Sequence, residues 1–188
     1  MKHIKLALVF VAMIGIGYHP AFSQGLPDPT LPANEVKINI VNTIVVGSLE
    51  LGYERFLDQN QSLGLELMFM DRFSYVSDSG EGRDFKATSV MLSYNYYFVT
   101  ASDPSGFYVL PFLKYRNGTF SETLENDQVM ETDLNSFMIG FGAGYKWVHN
   151  DKFALGPYVN IARGFNNEVS DRFDPVEFNA GFSIGFRF

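Results

Sequence analysis

Residues 136–147 read SFMIGFGAGYKW. Phe137, Ile139, Phe141, Ala143, Tyr145 and Trp147 alternate with Ser136, Met138, Gly140, Gly142, Gly144 and Lys146. Successive side chains of a β-strand point to opposite faces, so this segment has one bulky apolar face and one sparse face of small and polar groups. The chain ends on the same pattern. Phe178, Ala180, Phe182, Ile184, Phe186 and Phe188 oppose Asn179, Gly181, Ser183, Gly185 and Arg187. Leu63, Leu65, Leu67 and Phe69 oppose Gly64, Glu66, Met68 and Met70, and Val90 to Phe98 alternate in the same way.

Working outward from these runs, period-2 segments recur at 35–42, 48–57, 61–72, 85–99, 106–117, 133–148, 152–164 and 176–188, and no amphipathic helix interrupts them. The connections alternate in length. Those at 58–60, 100–105 and 149–151 are short, whereas those at 72–84, 117–132 and 164–175 are long and polar. The first connection, near 42–47, breaks this rule because it is both short and apolar. An eight-stranded barrel has an interior only wide enough for side chains to fill, which suits Gly, Ser and Asn with a few long polar residues. A soluble barrel would have to place the Phe-rich face inside and show water a surface of Gly and Ser with few charges. The expected fold is therefore all-β, an eight-stranded antiparallel up-and-down transmembrane β-barrel, with its apolar face toward lipid.

Composition agrees. The 188 residues include 19 Phe, 10 Tyr, 17 Gly and no Cys, so disulfides and thiolate chemistry are excluded. A formal charge of −7 argues against a nucleic-acid partner. Residues 1–23 have the parts of a secretory signal: Lys2 and Lys5, an apolar run from Ile4 to Ile16, and Ala21-Phe22-Ser23 before Gln24. The run is short for a membrane span, and Tyr18-His19-Pro20 interrupts it. Residues 24–33 carry Pro27, Pro29 and Pro32 and read as an extended periplasmic leader; residues 34–188 form the barrel domain.

The run from Glu35 to Ile40, followed by Leu49 to Leu57 with its Tyr53-Glu54-Arg55, resembles the opening hairpin of the small outer-membrane barrel families, similar to the OmpX and OmpA types. Phe182, Ile184, Phe186 and the terminal Phe188 resemble the assembly signal of outer-membrane proteins. The resemblance covers Asn34 to Phe188. It implies residence in a bacterial outer membrane, contact with its lipid, and recognition of the last strand by the barrel-assembly machinery. It implies no particular activity or surface ligand.

The alternation points Lys37, Glu50, Glu54, Glu66, Lys114, Arg116, Lys146 and Arg187 inward, three acids against five bases. Charges in so narrow a space need partners. Lys37, Glu54 and Arg187 lie on strands that closure makes neighbours and are expected to cluster. On the fifth strand both faces are apolar, and Lys114 and Arg116 place the even positions inside. Tyr108 and Phe112 would then pack over Gly140, Gly142 and Gly144. A lumen so filled argues for a structural, surface-interaction or accessory role. A narrow pore for ions or small solutes, and a secreted soluble ligand-binding barrel of the lipocalin or streptavidin kind, are the alternatives. His149 is the sole His after residue 23 and falls in a short turn without a Ser partner, so no enzyme and no cofactor are expected. Asp78, Glu81 and Asp84 fit no calcium-loop pattern and read as a solvated acidic loop, so no metal is expected.

Overall fold

A computed structural model of the chain describes residues 32–71, 83–98, 104–123, 128–166 and 173–188. The expected signal segment and nearly all of the leader lie outside the described residues, as do Asp78 and Glu81.

Nine strands run in chain order: β1 (Asn34–Asn39), β2 (Leu49–Phe56), β3 (Gln61–Phe69), β4 (Arg83–Tyr97), β5 (Gly106–Thr123), β6 (Val129–Asp133), β7 (Ser136–His149), β8 (Phe153–Gly164) and β9 (Val176–Arg187). Each pairs antiparallel with its neighbours, β9 returns to β1, and β4 pairs with β5, so the sheet closes. Both β6 and β7 pair with β5, β6 along 119–123 and β7 along 106–116. They form one wall position broken at Leu134-Asn135, and the barrel has eight positions around its wall.

The register gives the tilt. It steps from Lys37 to Gly52, Glu66, Met91, Lys114, Met138 and Gly164. It then passes to Pro175 and would meet the path of β1 again at Gly47. That stagger of about ten residues around eight strands corresponds to strands inclined by roughly 40°. Asn34, at the start of β1, and Phe188, with the turns at 57–60 and 150–152, lie at one end of the barrel, the turn end. The opposite end is the loop end.

Two local features depart from the alternation. The 42–47 connection is neither strand nor open loop. Asn42–Val46 forms one π-helical turn that Gly47 ends at φ 72°. At β3, Met70 adopts φ 58°. That left-handed residue reverses the parity, so Met70, expected inside, is exposed, and Asp71 is buried instead. The expected long loop 117–132 is also largely strand, because β5 runs on to Thr123 and β6 starts at Val129. The β7–β8 connection is a tight turn in which Asn150 and Asp151 both have positive φ (52° and 55°), as a primed hairpin turn requires. His149 ends β7 beside it.

Polarity is inverted relative to a soluble barrel. Leu65, Leu92, Phe107, Phe141, Trp147, Phe153, Ile161 and Phe178 are all exposed on the outside, while Glu35, Glu54, Arg116, Lys146 and Arg187 are buried inside.

Candidate functional site

The lumen is the candidate site, and among the described residues charged, polar and apolar side chains point into it at several levels. Four tiers follow from the turn end to the loop end.

The first tier is ionic. Glu35 and Glu54 sit on adjacent strands, in register with each other. The Lys146 ammonium donates to Glu35 at 2.9 Å and to Glu54 at 2.9 Å. Arg187 donates from Nε to Glu35 at 2.9 Å and from Nη2 to the Pro104 carbonyl. Lys37 lies 2.6 Å from Glu66 and 3.8 Å from Glu54. The other Glu54 oxygen accepts from Ser62 and Tyr97, each at 2.5 Å. Phe56 lies beneath this cluster. Its ring takes the Arg187 guanidinium at 4.6 Å and the Lys146 ammonium at 5.4 Å, both at cation–π distance.

The second tier is steric. Tyr108, Leu110 and Phe112 project from β5 toward the glycines of β7. A Cβ placed on Gly140 would fall 2.1 Å from the Phe112 ring, and one on Gly144 would fall 2.5 Å from the Tyr108 ring. These glycines are therefore required by close approach of a neighbouring side chain. Met68, Met91 and Met138 complete the layer. Beside it lies a neutral polar network around Glu50, whose carboxylate accepts from Asn39 at 2.8 Å, Asn42 at 2.6 Å and Tyr158 at 2.8 Å. A void of about 10 Å³ remains between Lys37, Asn39, Glu50, Glu66, Tyr158 and Ser183, room for one water.

The third tier is a second ion cluster. Asp71 pairs with Lys114 at 2.7 Å and with Arg116 at 2.9 Å; Glu177 pairs with Lys114 at 3.3 Å and also with Arg116. Ser89 donates to Asp71 at 2.5 Å. The fourth tier is an apolar lid of Phe85, Ala87, Phe120, Leu134 and Phe173. The Phe85 and Phe120 rings lie 4.7 Å apart.

All eight charges expected inside are found facing the lumen. Lys37, Glu54, Glu66, Lys146 and Arg187 gather in the first tier, Lys114 and Arg116 in the third, and Glu50 in the polar network. The expected Lys37–Glu54–Arg187 grouping needs a correction. Arg187 pairs with Glu35 rather than Glu54, and Lys146 joins the two halves.

Three acids escaped the sequence reading: Glu35, Asp71 and Glu177. Glu35 and Glu177 share the inward rows of Lys37 and Asn179, so simple parity would have found them. Asp71 was hidden by the reversal at Met70. With them the lumen holds six acids and five bases among the described residues, and the apparent excess of bases disappears. The odd acid is Glu50, which is stabilised by neutral donors. The row expected to carry an assembly signal, Phe182, Ile184, Phe186 and Phe188, points outward; Phe182 is half-buried and the other three are exposed.

Comparison with solved structures finds small barrels. The N-terminal β-barrel domain of Pseudomonas aeruginosa OprF is 15% identical over 82% of this chain and 95% of that one, with a TM-score of 0.49. Ail, the attachment invasion locus protein of Yersinia pestis, is 11% identical over 82% and 95%, with a TM-score of 0.48. Neisserial surface protein A is 12% identical over 82% and 93%, with a TM-score of 0.46. At these scores the fold rests on the strand pairings of the chain itself. No curated protein matches the sequence. The family model described as a protein of unknown function, DUF3575, matches residues 9–183, and the chain belongs to that family.

Proposed function

We propose that this chain is an integral barrel of a bacterial outer membrane, with a plugged lumen and a structural, surface-interaction or accessory role. The observation that carries the reading is the inverted polarity of the wall. On β8 the outward row runs Phe153, Leu155, Pro157, Val159, Ile161, and Arg163 stands ten residue steps beyond Phe153. At about 3.4 Å per residue and a tilt of roughly 40°, that row rises about 25 Å, the height of the apolar band of an outer-membrane barrel. Exposed aromatics ring its turn end: Phe98, Phe107, Tyr145, Trp147, Phe153, Phe186 and Phe188. They form one interfacial girdle and favour the periplasm on that side, where the connections are short.

The reading also accounts for the apolar first connection. β1 is paired with β9 only as far as Asn39↔Ser183, so β9 above that point lacks a β1 partner. The π-helical turn stands in this part of the wall. Asn42 faces inward to Glu50 and Asn179, while Ile44 and Val45, each about three-quarters exposed, face out. A helical turn bonds much of its own backbone, as a segment at membrane depth must.

Cell fractionation tests the reading. The mature chain should appear in the outer-membrane fraction, need detergent for extraction, and migrate differently in gels before and after boiling. Recovery as a soluble periplasmic protein would overturn it in favour of a soluble ligand-binding barrel.

A further inference from the structure

Arg163 occupies an outward position on β8, between Ile161 and Phe165, which are 50% and 60% exposed. It is cross-strand from Ile139 on β7 and from Val176 on β9. A cation within an apolar outward row is costly unless an anion meets it. Two other outward cations among the described residues have polar partners: Arg55 donates to the Asn34 amide oxygen, and Lys86 pairs with Asp84. Among the described residues, no carboxylate pairs with Arg163. Beside it the wall is indented by a groove of about 380 Å³, lined by Ile139, Phe141, Ile161, Val176 and Arg163 over a floor of Gly140 and Ala162. The groove is apolar along its length and cationic at its loop end.

We infer that Arg163 and this groove bind one phosphate-bearing lipid of the outer leaflet, its phosphate on the guanidinium and an acyl chain along Ile161 and Phe141. The inference rests on the outer-membrane reading. Charge complementarity selects the phosphate: an arginine fork matches its oxygens, and among the described residues no carboxylate meets Arg163. The position selects the leaflet. Arg163 stands at the loop end of the apolar band, where headgroups of the outer leaflet lie, and the groove runs down from it into the band.

The test uses the full chain folded in a neutral detergent, with a phosphorylated acyl-disaccharide as probe and its dephosphorylated form as control. Bound lipid is counted by native mass spectrometry. The wild type should retain one phosphorylated lipid about fivefold more tightly than the control, the worth of one basic side chain at an anionic surface. Arg163→Gln should bind both forms alike. Val176→Trp, which fills the groove, should weaken both. Equal retention of the phosphorylated lipid by wild type and Arg163→Gln would overturn the site, as would wild-type binding that inorganic phosphate displaces at equal concentration. Gel migration of the same samples, unboiled, checks that each variant is folded. A chain that stays folded and monodisperse without detergent would instead overturn the membrane reading itself.

Discussion

At the scale of single residues, a few buried contacts decide whether the wall can close. Glu54 is the clearest case, because its two oxygens take Lys146, Ser62 and Tyr97, with Lys37 at 3.8 Å. Breaking a buried ion pair from one side costs roughly 3–5 kcal/mol. Glu54→Ala is expected to lower stability by about that amount in urea unfolding from lipid vesicles. Adding Lys146→Met should recover part of the loss; a single variant that unfolds with the wild type would show the cluster to be energetically idle. Gly140→Ala tests the steric tier. Its Cβ would fall 2.1 Å from Phe112 and 2.7 Å from the Ile161 carbonyl, and backbone cannot step aside as a ring can. A cost of about 1–3 kcal/mol is expected, the range for overpacking. Phe112→Leu should relieve only the part due to the ring. Residue-level legibility followed from parity. Lys114 and Arg116 alone oriented β5, whose two faces are otherwise equally apolar. Parity failed at Met70, where one left-handed φ, invisible in an alternating pattern without Gly, moved Asp71 into the lumen.

At the scale of elements, strand existence was legible and strand length was not. The alternation that marks β7 and β9 comes from burial on one side and apolar exposure on the other. Beyond the band that contrast fades, and β5 continues to Thr123 through Asn117, Thr119 and Ser121, which look like loop in the sequence. What extends the hairpin is the lid: Phe120 packs on Phe85 and Phe173, giving β4 and β5 an apolar face that Leu134, just after β6, joins. The 42–46 turn failed for a different reason. Five residues are too few to display a helical period, and its composition, Asn-Thr-Ile-Val-Val, favours strand. Its role yields a paired expectation. Ile44→Lys should cost roughly 1–2 kcal/mol, intermediate between a midplane and an interfacial position. Asn42→Ala should cost about 1–3 kcal/mol by removing a donor from buried Glu50. Vesicle unfolding measures both. A neutral Ile44→Lys would place the turn in water, above the apolar band.

At the scale of the whole molecule, the proposed plug rests on the four tiers of inward side chains among the described residues. An ion entering from the loop end meets Phe85, Phe120 and Phe173, then Arg116, which is 0% exposed, then the Tyr108–Phe112 layer, then Lys146 between two carboxylates. Each ion cluster has its acids and bases in contact, so a permeating ion would have to separate partners at several kcal/mol each while shedding its own water. The void near Glu50, about 10 Å³, has room for a single water. The protein is therefore expected to insert into planar bilayers without steady current. Phe141→Arg, on the outward face, should cost about 2–4 kcal/mol if that site lies near the midplane, and should leave the bilayer equally silent. Glu54→Ala should shorten the life of the folded state rather than open a path, because Lys146 keeps Glu35 and Lys37 keeps Glu66. A reproducible wild-type conductance, with an ion selectivity that shifts in Glu54→Ala or Lys114→Ala, would mean that the tiers part in the membrane, and the narrow-pore reading would replace the plugged one.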